Sequence, residues 1–158
     1  MVSNHPYPAA PPPSPQRPPR QLGLPWWAFP ALALLAVPRI FVHDLGIDVG
    51  PAGTALLGLG PPALWVFVVL RARVPRPVLT LMVVGALYGV ALGLVHNLLW
   101  HEVFADSEPT LNGLVDDEAA EIPLRVATLF SSLFTGIMVG VISGVVAAGI
   151  RKLGRRSR

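Results

Sequence analysis

The chain has no cysteine, a single lysine and few charged residues of either sign. Without thiols there can be no disulfides, thiolate zinc sites or iron–sulfur clusters, and cysteine usage leaves the redox compartment open. Charged residues are 13% of the 158, and 53% are hydrophobic. A soluble domain carries about twice that charge, roughly 25%. Acids are missing altogether before Asp44 and after Glu121, so the formal charge of +3 averages over a segregated chain. Its basic residues sit in short segments beside apolar runs. That distribution fits membrane topology rather than the basic face of a nucleic-acid-binding domain, and no nucleic acid is expected as a partner. Also absent are a glycine-rich phosphate loop, a GxSxG elbow and an HExxH zinc motif. Nucleophilic catalysis would rest on Ser131, Ser132 or Ser143, in an apolar segment where small hydroxyl residues serve packing. Neither enzyme activity nor a cofactor is expected.

Proline, glycine and long apolar runs are what the chain has in quantity. Proline crowds residues 1–21 at positions 6, 8, 11, 12, 13, 15, 18 and 19, too many missing amide donors for helix or sheet. This stretch is read as a disordered cytoplasmic tail leaning to polyproline II. Pro12, Pro15 and Arg17 match a PxxPxR ligand pattern, but such matches arise by chance in any proline-rich arm. Four apolar segments follow, about 24–42, 52–70, 78–100 and 124–150, each near or above the roughly 20 helical residues that cross a hydrocarbon core of about 30 Å. The expected fold is all-α, an integral membrane four-helix bundle over 22–152. An acidic outer loop at 102–122 and a basic cytoplasmic tail at 153–158 complete it. Ala31-Leu32-Ala33 imitates a signal cleavage site, yet the apolar run continues past it. Pro30 and Pro38 should bend the first helix, and Pro61-Pro62 should kink or break the second near mid-membrane.

With both termini in the cytoplasm, Arg17, Arg20, the Arg71–Arg76 link and the basic tail fall on one side, and only Arg39 and Arg125 on the other. This is the positive-inside pattern. The preference for Arg over Lys, with abundant Ala, Gly, Pro and Val, suggests a GC-rich bacterial genome and hence the bacterial plasma membrane. The third and fourth segments carry matching stripes. Gly85, Gly89 and Gly93 fall four apart, continued by Asn97 and His101; Thr128, Ser132, Gly136, Gly140, Gly144 and Ala148 do the same. Residues four apart share a helix face, and small residues let membrane helices close up. One antiparallel register sets Gly85 by Gly144, Gly89 by Gly140, Gly93 by Gly136, Asn97 by Ser132 and His101 by Thr128. The alternative is that either stripe builds a homodimer.

Ionisable and polar groups gather toward the outer face: Arg39, His43, Asp44, His96, Asn97, His101 and Glu102. His and carboxylate together suit a divalent metal, and two histidines suit haem. The spacing of His96 and His101, five apart, does not match the i,i+4 pair of a zincin. The plain reading is that these groups mark the headgroup boundary, with Arg39 snorkelling and Trp100 and His101 at the interface. No carboxylate falls within an apolar segment, which counts against proton-coupled transport. The sequence therefore points to a small polytopic inner-membrane protein of structural or accessory type. Its expected partners are the lipid bilayer and a further membrane protein or a second copy of itself. A transport or permeation component using the outer polar cluster is the alternative, and a metal- or haem-binding membrane protein the second.

Overall fold

The computed structural model describes residues 22–103 and 117–156. The proline-rich tail, the middle of the acidic loop and the last two residues lie outside the described residues. Among the described residues every regular element is a helix. Three helices are long and apolar enough to cross a membrane: Gly50–Arg71, Pro77–Leu98 and Ala120–Arg156.

The single first helix expected over 24–42 is instead two short ones, α1 (Ala28–Leu34) and α2 (Val37–Asp44). Proline chemistry gives the reason. Pro38 has no N–H for the carbonyl of Leu34, and its ring presses on that carbonyl, so α1 cannot run through it. At the start of α2 the same ring is harmless, because the first N–H groups of a helix have no intrahelical partner. The N–H of Ala36 turns back to Ala33 O and leaves Leu32 O without its helical donor. The indole of Trp65 supplies one, Nε1 donating to Leu32 O at 2.8 Å. α2 then stops where Gly46 takes the left-handed conformation, φ 61°. Gly46 N–H returns to His43 O at 3.2 Å and Ile47 N–H to Val42 O at 2.9 Å, the paired bonds of a Schellman cap.

α3 (Gly50–Arg71) runs through Pro61-Pro62 as one helix, so of the kink or break expected there the break does not occur. The two prolines deprive the carbonyls of Leu57 and Gly58 of helical donors. Both residues line a small cavity together with Arg39, so the freed backbone has a polar neighbour, the condition under which such a helix persists in an apolar medium. α4 (Pro77–Leu98) is followed directly by the single turn α5 (Trp100–Val103). α6 (Asp117–Arg156) starts before and ends after the expected 124–150, so parts of the acidic loop and of the basic tail are helical. Acids in its first turns and Arg155 and Arg156 in its last suit the helix dipole.

α4 and α6 run antiparallel in by far the largest interhelical contact, with α1 and α2 packed on α4, and α3 on α6. α1–α2 run parallel to α4. Thr80 Oγ1, at the start of α4, donates to Leu22 O at 2.9 Å, while His96 near its end meets Asp44. Trp65, Ile40, Leu81, Val69, Val84 and Thr80 form the fully buried centre. Trp65 meets Tyr88 edge to face, centroids 6.1 Å apart.

Candidate functional site

The α4–α6 seam is built from missing side chains. A Cβ at Gly89 would lie 2.7 Å from Ser132 O and 2.8 Å from Leu133 Cα, and one at Gly140 would lie 2.9 Å from the Leu81 carbonyl carbon. Both are backbone contacts, so only glycine permits this approach. Gly85 lies against Gly136 and Gly140, Gly93 against Leu129 and Ser132, and Gly144 against Val78. The register expected from the stripes is therefore wrong by one to two turns: Gly85 sits between Gly136 and Gly140, not opposite Gly144. The offset follows from packing, because a small residue dropped between two on the partner fills a groove that a face-to-face pair leaves open. The two stripes meet within one chain.

Each end of the seam carries an arginine clasp. Arg125 Nη1 donates to Asn97 O at 2.8 Å and Nε to Glu121 at 2.7 Å, and its Cζ stands 4.9 Å from the ring centroid of Trp100. Asn97 O is one of the last carbonyls of α4, which lack helical donors. Asn97 Nδ2 donates to Gly93 O at 2.9 Å, not to Ser132 as the expected register implied. Trp100, expected at the interface, is 3% exposed. At the other end Arg151 Nη1 donates to Val74 O.

The polar centre of the bundle is Asp44. Its side chain is 0% exposed and pairs with Nδ1 of His96 and, at 3.2 Å, with Nδ1 of His43, whose side chain is 79% exposed. Against an ionised carboxylate, which only accepts, both contacts require the proton on Nδ1. No carboxylate falls within the four apolar segments, yet the fold buries this one at the edge of the first. Asp44 lies just past the apolar run in sequence, but it ends α2 four residues after buried Ile40 and so shares its inward face. A buried carboxyl without partners costs several kcal/mol; two imidazoles meet that cost.

Arg39 lines two cavities. One, of about 250 Å³, opens between α2 and α3 beside Val42, His43, Ile47 and Thr54. The other, of about 40 Å³, is lined by Gly58, Pro62, Trp65, Tyr88 and Thr135 as well, room for one or more waters at the ~10–15 Å³ each requires. Leu57 lines both.

Of the polar residues singled out in the sequence, the structure joins His43 and His96 through Asp44 and sets Arg39 nearby. Asn97 belongs to the seam, while His101 and Glu102 are exposed on α5. His96 and His101 do not converge, and no group of three or more His, Asp or Glu among the described residues is placed to hold a metal ion. Tyr88, Thr135, Arg125 and Arg151 escaped sequence reading. The last two offered one signal, a basic residue at each end of the fourth apolar run.

No family model matches the chain, and no curated protein or solved structure matches it. Fold and site define it as an all-helical protein with three helices long and apolar enough to cross a membrane, a glycine-closed helix pair and a buried carboxyl–imidazole centre.

Proposed function

We propose that the chain is an integral membrane protein that crosses the bacterial plasma membrane four times, with α1–α2 together as the first crossing and both termini in the cytoplasm. It acts as a structural or accessory component of a membrane assembly. The observation that carries this reading is the α4–α6 seam, closed by glycine and clasped by arginine at both ends, beside outward faces that stay apolar. Leu56, Leu59 and Phe67 of α3 and Phe130, Phe134 and Ile142 of α6 are all exposed. Such a surface is offered to lipid or to other membrane helices. A cytoplasmic reporter fused after Arg158 is expected to be active, and mild-detergent purification to retain a second membrane protein in fixed ratio. A periplasmic-only signal, or a chain that purifies alone, sinks the orientation or the accessory role respectively.

Asp44 favours a second reading, a proton-linked permeation component. Ionisable groups inside a membrane bundle mark ion pathways by default, and His43, bonded to Asp44, lines the larger of the two cavities together with Arg39. Vesicles holding the chain should then dissipate an imposed pH gradient faster than empty ones, and Asp44→Asn, which keeps the shape, should abolish the excess. Equal rates for wild type, variant and empty vesicles exclude this reading and leave the accessory one.

A further inference from the structure

At the end of the bundle opposite Asp44, the C-terminal turns of α6 and the α3–α4 link border an open cleft of about 350 Å³. Pro75, Pro77 and Ala148 wall it, and Arg151, Lys152, Arg155 and Arg156 line it. We propose that this cleft binds the phosphate of an anionic phospholipid, an inference that rests on the membrane reading above.

Four observations carry it. The basic residues are spaced i, i+1, i+4 and i+5, which stacks two pairs on one sector of the helix. Among the described residues no acid pairs with them, the ion pairs all lying at the far end. Four cations gathered around one cleft repel one another until an anion enters. Arg151 is already oriented by its bond to Val74 O, and a fixed guanidinium fork suits phosphate oxygens. The walls are apolar and rigid, with two prolines that offer no N–H, so the cleft presents charge on one side and hydrocarbon on the other, as a phospholipid does. Trp26 and Trp27 are exposed at this same end, at the level such rings take at a membrane interface.

Helix-dipole and topology arguments account for basic residues at the end of α6. They do not account for their convergence with the α3–α4 link around one cleft. Basic hollows between helices on the cytoplasmic side are the usual seat of anionic headgroups, and the volume lies at the lower end of the roughly 300–1,000 Å³ of ligand sites.

The test uses the full chain in an uncharged detergent, titrated with phosphatidylglycerol, phosphatidylcholine, glycerol 3-phosphate and inorganic phosphate, with bound lipid counted by native mass spectrometry. One phosphatidylglycerol per chain should be retained over phosphatidylcholine. Lys152→Gln/Arg155→Gln/Arg156→Gln should weaken it about tenfold or more without moving the lipid-free unfolding midpoint; Arg71→Gln/Arg76→Gln, outside the cleft, should change it far less. Equal binding of the two lipids overturns the proposal, as does equal loss in both variants, which means a diffuse surface field. Competition by glycerol 3-phosphate at lipid-like concentrations overturns the lipid source in favour of a soluble phosphoester. A chain that resists carbonate extraction yet shows no preference fails on this point alone, whereas a chain that carbonate releases fails on the membrane reading itself.

Discussion

Arg73 occupies a position where helices usually place glycine. It has φ 52°, its N–H returns to Leu70 O and that of Val74 to Val69 O, each at 3.1 Å. This is the same cap that ends α2 at Gly46, here with its apolar contact between Val69 and Val74, both fully buried. A side chain in this conformation costs roughly 1–2 kcal/mol, and glycine returns roughly 0.5–1 kcal/mol of that as backbone entropy. Arg73→Gly should therefore stabilise the fold by about 0.5–1 kcal/mol, read as a higher unfolding midpoint in detergent; a lower midpoint would mean that the guanidinium holds a contact. Asp44 behaves oppositely. Asp44→Leu leaves the His96 N–H without its acceptor and should cost about 1–3 kcal/mol, while Asp44→Asn, which retains an oxygen, should cost less. Equal midpoints for the two variants would show that the pair does not matter to stability.

At the scale of elements, the α4–α6 seam divides the glycines into two kinds. A Cβ at Gly136 would lie 2.5 Å from Gly89 Cα, whereas one at Gly149 meets nothing within 4 Å. Gly136→Ala forces two backbones apart and should destabilise by about 1–3 kcal/mol. Gly149→Ala should be neutral or stabilising by up to about 1 kcal/mol, as helix propensity dictates. Similar losses for both would remove the seam from the account. The register has its own test in this cysteine-free chain. A Cβ at Gly93 lies 3.3 Å from Ser132 Cβ, close to the roughly 3.5–4.5 Å of a disulfide. Gly93→Cys with Ser132→Cys should oxidise within one chain, and Gly93→Cys with Gly136→Cys should not. The reverse outcome would restore the register read from the stripes alone.

The whole molecule has two unlike ends. Leu22, Val74, Pro77 and Arg151 meet at one, and Asp44, His96, Asn97 and Arg125 at the other. The proposed orientation predicts how an impermeant thiol reagent labels intact cells. Ile47→Cys and His101→Cys, exposed at the second end, should react from outside, and Arg76→Cys and Arg155→Cys only after the membrane is opened. Labelling of Arg76→Cys in intact cells would invert the topology.

Sequence alone determined what depends on composition and period: apolar runs long enough to span, basic flanks on one side, and small residues repeating every four positions. Each is local, and local physics suffices for it. Tertiary structure alone decided what depends on which residues share a volume. Pro38 was visible, but that it divides the first segment, and that Trp65 then meets the freed Leu32 carbonyl, needed a partner 33 residues away. The glycine stripes were legible and their register was not, because a four-residue repeat matches itself at every turn and only the contacts at Asn97, Arg125, Val74 and Arg151 select one. Asp44 reads in the sequence as a loop acid beside a turn. Its burial follows from its place on the Ile40 face of α2 and the nearness of His96, 52 residues on, and no spacing rule connects the two.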